Sequence, residues 1–125
     1  MKSYILVMAG GAVGAALRFQ LACMLPVSAG GWPWPTFAAN VAGGLAMGML
    51  AAWALLQGDA GEPMRLLIGV GLLGGFTTFS AFSLEMAMIF ERGQVMLAVS
   101  YALASVVLAL IAVFAGLALG RGAFA

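Results

Sequence analysis

This 125-residue chain contains no histidine, a single cysteine, and charged residues at only 7% of its positions. Without histidine it cannot form histidine metal sites, Ser-His-Asp triads or imidazole acid–base pairs. Cys23 has no partner for an internal disulfide bond. A net charge of +1 gives no support to nucleic-acid binding or to the capture of acidic substrates. These absences argue against an enzyme.

Charge is also too scarce for a water-soluble surface. Soluble domains carry roughly 25% charged residues, whereas 65% of this chain is hydrophobic. A helix needs about 20 apolar residues to cross a bilayer, and four such runs occur, at residues 3–25, 36–57, 64–90 and 94–120. The sequence predicts one integral membrane domain, residues 1–125, with four transmembrane helices. The alternative for the first run, a secretory signal peptide, is disfavoured because three more runs follow.

Each apolar run contains two glycines four residues apart. Such pairs form a smooth strip where helix backbones approach closely, which favours helix association in lipid. The pairs are Gly10/Gly14, Gly44/Gly48, Gly71/Gly75 and Gly116/Gly120. They predict a tightly packed bundle that assembles into oligomers.

The basic residues give little preference for either orientation in the membrane. With four helices, Lys2, Arg65 and Arg121 lie on one side. Arg92 lies on the other side, joined by Arg18 if the latter is near the end of its helix. Cytoplasmic loops normally carry the excess of Lys and Arg, so this distribution is only weakly biased. Insertion in both orientations, which allows antiparallel assembly, and insertion in one orientation both stay open.

The third run carries polar and flexible residues in its middle. Residues 74–83 include two glycines, four hydroxyl side chains and three phenyl rings. Threonine after two glycines continues a helix poorly, and a broken helix at membrane depth needs protein or an aqueous path to cover its backbone. Such breaks often form ion sites. We therefore predict a break in the third helix; the alternative is a kinked helix whose hydroxyls bond carbonyls four residues back.

Three runs each present a narrow polar stripe. Side chains three or four residues apart share a helix face, which gives the pairs Phe79/Phe82, Ser80/Ser83, Thr36/Asn40 and Tyr101/Ser105. Amides, hydroxyls and a phenol are neutral hydrogen-bond donors, and phenyl rings present a positive edge. This set suits a small, desolvated anion and lacks the carboxylates of a cation path. Hydrogen bonding between helices is the alternative for any single residue.

Apart from Arg65 at the start of the third span, two charged residues, Arg18 and Glu85, lie within the predicted spans. A charge at mid-membrane costs about 2.5–3.5 kcal/mol on insertion scales. Their opposite signs predict a structural role, with pairing to each other or across subunits. The G-x-G-x-x-G match at residues 69–74 lies inside an apolar run with no βαβ context, so it does not indicate dinucleotide binding.

Three motifs follow one another along the chain: Gly10-Gly11-x-x-Gly14-Ala15-x-x-Arg18, Thr36-x-x-x-Asn40-x-x-Gly43, and Gly74-Gly75-Phe76-Thr77-Thr78-Phe79-Ser80-x-Phe82-Ser83-x-Glu85. Together they resemble the Fluc/CrcB family of bacterial fluoride channels, over essentially the whole chain. The family is known as antiparallel, dual-topology homodimers with two fluoride pores, each lined by both subunits. Three positions depart from the family pattern, Pro35, Ala39 and Ala109.

The resemblance implies a role for each matching residue. Phe79 and Phe82 would supply ring edges to fluoride, and Asn40 the pore amide. Hydroxyl donors would be Ser80, Ser83, Thr36 and Tyr101, with Ser105 beside them on the fourth helix. A structural sodium ion at the dimer interface would be held by backbone carbonyls of Gly74 and Thr77. Arg18 would be a structural or vestibule residue.

The implied function is a fluoride-selective channel for passive fluoride export across the inner membrane of a bacterium. It would lower cytoplasmic fluoride and give fluoride resistance, with fluoride, lipid and a second copy of the chain as partners and no nucleotide. A small multidrug exporter, the first rival, needs a carboxylate in the first helix, where only Arg18 is charged within the span. A structural accessory bundle, the second, predicts that Asn40→Ala and Phe79→Ile harm assembly without any ion phenotype.

Overall fold

A computed structural model describes residues 1–27 and 30–125, which contain helices and no strand. Helix α1 spans Lys2–Met24, α2 spans Trp34–Gln57, and a 3-10 turn follows at Gly58–Gly61. Helix α3 covers residues 62–76, α4 covers Ser80–Glu91 and α5 covers Val95–Phe124. The prediction of an all-α protein is confirmed. Ser28 and Ala29, in the predicted segment after the first run, lie outside the described residues.

Helix α3 changes its winding along its length. It is α-helical at Glu62–Met64, π-helical over Arg65–Leu73 and α-helical again at Gly74–Phe76. The N–H of Gly74 donates to the carbonyl of Gly69, five residues back, which is the hydrogen bond of a π-helix. Such segments are rare and frequently occur at functional sites. The sequence did not predict this winding, because it leaves no separate mark in the apolar pattern of the run.

In the described part of the chain, three helical stretches are long and apolar enough to cross a membrane: Lys2–Met24, Trp34–Glu91 and Val95–Phe124. The second contains α2, α3 and α4. Large apolar side chains also point outward, and on α5 these include Leu103, Leu110, Ile111 and Phe114. Exposed apolar surface on this scale marks contact with a membrane or another protein. The helices are therefore those of a membrane protein.

Two pairs of parallel helices are joined through their glycines. A methyl group built on Gly71 of α3 would lie 2.9 Å from the Cα of Gly10 in α1, and one on Gly75 would lie 3.1 Å from the Cα of Gly11. Positions increase together along both helices, so α1 and α3 run in the same direction. The close approach predicted for these glycines is confirmed.

Helices α2 and α5 form the most extensive contact in the described chain. A methyl group on Gly116 would lie 3.1 Å from the Cα of Gly48, and one on Gly120 would lie 2.7 Å from the Cβ of Ala52. These helices are also parallel to each other. Because glycine lets backbones meet where any side chain would clash, the second pair of glycine strips is used in the same way as the first.

The chain reverses direction between α2 and α3. A methyl group on Gly69 would lie 3.0 Å from Cδ2 of Leu50 and 3.9 Å from the sulfur of Met47. Leu50 and Met47 precede Gly58 in the chain and Gly69 follows it; Gly58 has a positive φ of 55° and ends α2. The helical hairpin brings the polar face of α2 beside the end of α3, where the candidate site lies.

Candidate functional site

The backbone is non-helical at residues 77–79, within the segment in which the sequence predicts a break. Helix α3 ends at Phe76, Thr77 is extended with φ −83° and ψ 157°, and α4 begins at Ser80. The hydroxyl of Thr77 donates to the Leu73 carbonyl at 2.8 Å. One hydroxyl thus makes the bond that the kinked-helix alternative requires, while the helix itself does not continue through Thr78.

Asn40 of α2 holds this non-helical backbone with both ends of its amide. Its Nδ2 donates to the Thr78 carbonyl at 3.0 Å, and its Oδ1 accepts from the Thr78 N–H at 2.8 Å. In a continuous helix the Thr78 N–H would bond the carbonyl of Gly74. Asn40 therefore replaces a backbone partner and leaves that carbonyl available.

A second backbone donor is diverted in the same way. The N–H of Ala81 donates to the Thr78 hydroxyl at 3.2 Å, where a continuous helix would direct it to the Thr77 carbonyl. The Thr78 hydroxyl also lies 3.3 Å from that of Ser80. Thr78, which the sequence analysis did not single out as a site residue, thus organises the start of α4 from its backbone and its side chain.

Six predicted site residues meet around one cavity at this point. The break cavity, as we call it, has a volume of about 450 Å³ and is lined by Asn40, Gly74, Thr77, Phe79, Phe82 and Ser105, together with Thr78, Val106 and Ala109. The rings of Phe79 and Phe82 have centroids 5.6 Å apart. Phe82 is 7% exposed and Phe79 is 78% exposed. The Ser105 hydroxyl is buried and has no hydrogen-bond partner within the described residues.

Glu85 is the centre of a second polar group. Its Oε1 accepts from the Thr36 hydroxyl at 2.6 Å and its Oε2 accepts from the Tyr101 phenol at 2.8 Å. Tyr101 is fully buried and its ring also contacts Phe82, with centroids 5.2 Å apart. Two of the four hydroxyls assigned to fluoride from the family resemblance, those of Thr36 and Tyr101, therefore hold Glu85 in this structure. Hydrogen bonds to a carboxylate are stronger than those between neutral groups.

Arg18 and Glu85 line a second cavity but do not bond each other. This Glu85 cavity, of about 330 Å³, is also lined by Ala15, Phe19, Ala22, Pro35, Thr36 and Ala81. The Arg18 Nε donates to the Gly75 carbonyl at 3.2 Å. Within the described residues, the ion pair formed is that of Arg65 and Glu62, at 2.8 Å. The predicted pairing of Arg18 with Glu85 is therefore wrong within one subunit. Arg18 bonds the Gly75 carbonyl, and Glu85 accepts from Thr36 and Tyr101.

The remaining predicted residues lie on α4. Ser80 is exposed at its first turn, and Ser83 is half-buried one turn later, where its N–H donates to the Phe79 carbonyl at 2.9 Å. Neither lines the break cavity as described. The residues that sequence reasoning missed are Thr78 and the carbonyl of Gly75. The role of Thr78 could have been suspected from the sequence, because Asn40 is the single asparagine and Gly74-Gly75-Phe76-Thr77-Thr78 is a segment that needs a hydrogen-bonding partner. The role of the Gly75 carbonyl could not, because a backbone acceptor leaves no mark in the sequence.

The chain is similar to known proteins over nearly its whole length. A family model described as "CrcB-like protein, Camphor Resistance (CrcB)" matches residues 5–117. The chain belongs to the CrcB family. The resemblance found in the sequence is thereby confirmed. The argument from composition against an enzyme agrees with membership of this family.

Curated relatives of this CrcB chain carry a more specific name. Proteins called "Fluoride-specific ion channel FluC" are 53% identical in Phenylobacterium zucineum, with 100% of both chains covered, and 49% identical in Novosphingobium aromaticivorans, with 98% of both covered. A third, from a Caulobacter species, is 48% identical over 99% of this chain and 98% of its own. The similarity extends over at least 98% of each chain.

The CrcB chain offers backbone rather than side-chain ligands for a metal ion. No group of three or more His, Cys, Asp or Glu residues that could hold a metal occurs in the described residues. The Gly74 and Thr77 carbonyls have each lost their helical donor, to Asn40 and to Thr78 respectively. Carbonyl oxygens suit hard cations, so these two groups fit the sodium ion that the family resemblance implies.

Proposed function

We propose that this CrcB chain is a fluoride-selective ion channel, not an enzyme, which exports fluoride passively and so lowers cytoplasmic fluoride and gives resistance to it. The observation that carries the proposal is the break cavity, where an amide, hydroxyls and two phenyl rings meet at an interrupted helix. The relatives named as fluoride-specific channels, at about half identity over their full length, support it.

Fluoride is small and strongly hydrated, so its path must replace water with donors already in position. In the break cavity the Ser105 hydroxyl has no hydrogen-bond partner among the described residues, and Asn40 is fixed by its two bonds to Thr78. Ring edges of Phe79 and Phe82 add positive partial charge. Donors held in place lose little entropy when the ion arrives and are strongest away from water.

A continuation of the path runs along α4 towards the Glu85 cavity. Ser80 and Ser83 follow the break on this helix, and Thr36, Tyr101 and Glu85 come next. Arg18, in the same cavity, contributes positive charge that attracts anions at the mouth. The membrane potential drives export at about 2.3 kcal/mol per charge per 100 mV, so no nucleotide is needed.

The functional unit in this proposal is an antiparallel dimer of four-span subunits in the bacterial inner membrane. Two observations support a partner: Phe79 is 78% exposed although it lines the break cavity, and one subunit encloses this cavity only partly. A second copy would cover the ring and complete each pore. The balanced distribution of basic residues permits insertion both ways up.

The central sodium ion in this proposal is structural and is held by the Gly74 and Thr77 carbonyls. A bound ion stabilises the folded state in proportion to the logarithm of its concentration. Thermal unfolding of the detergent-purified protein should therefore occur at a higher temperature as sodium chloride replaces N-methylglucamine chloride at constant ionic strength. An unfolding temperature that is independent of sodium would remove the ion from the proposal.

Fluoride efflux from liposomes containing only the purified protein tests the function. Liposomes loaded with potassium fluoride should release fluoride when valinomycin carries potassium out and so balances the charge. Liposomes loaded with potassium chloride should not release chloride. Release of neither anion would contradict the channel. Proton-coupled movement of cationic drugs would instead indicate a multidrug exporter, and an assembly defect without an ion phenotype in cells would indicate an accessory bundle.

A further inference from the structure

The segment before α2, residues 30–33, contacts the face of α5 that carries Tyr101. Gln94 Nε2, at the start of α5, donates to the Gly30 carbonyl at 3.2 Å. Gln94, Ala98 and Tyr101 are spaced four and three residues apart, so they share one helix face. Ala98 and Tyr101 are buried. The segment is thus held at the first turn of this face.

Trp32 makes the second contact of the segment with the same face. Its indole centroid lies 5.4 Å from that of Tyr101 with the planes at 85°, and 5.4 Å from that of Phe37 at 82°. These are edge-to-face arrangements, the favoured geometry of aromatic pairs. The Trp32 Nε1 is buried without a hydrogen-bond partner in the described residues, so ring packing, not a hydrogen bond, fixes the indole.

Tyr101 links the two cavities of the candidate site. Its ring contacts Phe82, which lines the break cavity, and its phenol donates to Glu85, which lines the other. A fully buried ring can keep this geometry only if its remaining sides are packed. Phe82 packs on it from α4, and Trp32 packs on it from the segment before α2.

We propose that Trp32 is a positioning residue: its indole packs against Tyr101 and keeps the phenol on Glu85, so that the segment before α2 sets the geometry of the polar continuation of the ion path. The inference rests on the proposed function for its consequence in ion flux. The contact itself concerns only Trp32, Tyr101 and Glu85. No role of this kind follows from the motifs that identify the family.

Liposome efflux of Trp32→Ala tests the consequence, with Trp34→Ala as the matched control. Trp34 lies two residues away and contacts Trp32 and Phe37, and it is 56% exposed. Loss of an aromatic pair should make Trp32→Ala about three- to tenfold slower than wild type, whereas Trp34→Ala should stay within about twofold. In a Tyr101→Phe background, Trp32→Ala should slow efflux by less than about a further twofold, because the effects of two residues that act through the same contact are not additive.

A fluorine label on Tyr101 tests the positioning separately from flux. The chain has two tyrosines, so Tyr4→Phe leaves Tyr101 as the sole site for 3-fluorotyrosine. Trp32→Ala should shift and narrow the ¹⁹F resonance as the ring becomes free to turn, and Trp34→Ala should leave it unchanged. If Trp32→Ala fails to fold, Gln94→Leu, which removes the bond to Gly30, should produce the shift instead.

An unmoved resonance in a folded Trp32→Ala or Gln94→Leu protein would overturn the proposal, as would equal slowing of efflux by Trp32→Ala with and without Tyr101→Phe. Wild-type liposomes that release no fluoride would refute the proposed function, and the fluorine label would still decide whether Trp32 positions Tyr101. The two failures are therefore distinguishable.

Discussion

At the residue scale, the two phenylalanines of the break cavity differ sharply in burial. Phe79 is 78% exposed and Phe82 is 7% exposed against Tyr101. Phe79→Ile should therefore leave the stability of the subunit within about 0.5 kcal/mol while reducing fluoride efflux at least about tenfold, since the aromatic edge is lost. Liposome efflux and thermal unfolding measure the two effects.

Phe90→Ile is the control for this substitution. Phe90 is an exposed ring near the C-terminal end of α4, the helix that follows Phe79, and its replacement should change neither efflux nor unfolding temperature. If Phe79→Ile conducted fluoride as fast as wild type, the rings would have no part in the path.

Asn40 contributes to the fold through the Thr78 backbone as well as to the proposed path. Asn40→Ala removes two hydrogen bonds and leaves the Thr78 N–H and carbonyl without these partners, which should lower the free energy of unfolding by about 2–4 kcal/mol. Unfolding of the detergent-purified protein measures this loss. Gln57→Ala, an exposed amide at the end of the same helix, should be neutral. An Asn40→Ala protein as stable as wild type would mean that the clamp on Thr78 is not formed.

At the scale of helices, packing depends on which glycine of α1 is replaced. A methyl group on Gly10 would overlap the Leu67 carbonyl and lie 2.8 Å from the Leu72 nitrogen, while one on Gly11 meets nothing closer than 3.9 Å. Gly10→Ala should cost about 1–3 kcal/mol by forcing the helices apart. Gly11→Ala should be neutral or stabilising by up to about 1 kcal/mol, because alanine is the better helix former.

Unfolding temperatures of the two alanine variants, measured side by side in detergent, check this prediction. Equal temperatures for Gly10→Ala and Gly11→Ala would contradict the close approach of α1 and α3.

Sequence reasoning reached the helices and their glycine contacts, but not the side-chain partners within the site. Glycines four residues apart identify a packing strip, because that spacing alone puts them on one face, and the strips of α1 and α3 do meet. The partners of Glu85 could not be derived in this way. Whether its carboxylate meets Arg18 or the hydroxyls of Thr36 and Tyr101 depends on how α1, α2 and α5 are rotated about their axes, which composition does not record. The π-helical winding of Arg65–Leu73 is hidden for a different reason, since it leaves no separate mark in the apolar pattern of the run.

At the scale of the whole molecule, dual topology predicts that the polar turn between α2 and α3 faces both sides of the membrane in one population. Cys23 is the only cysteine, so Cys23→Ala with Asp59→Cys places a single thiol on the exposed turn Gly58–Gly61. In cells with a permeabilised outer membrane, an impermeant maleimide should label about half of the thiols, because the weak Lys/Arg bias selects neither orientation. The other half should react only after detergent is added, and Cys23→Ala alone should not react. Labelling of all thiols, or of none, before detergent would establish one orientation and exclude the antiparallel dimer.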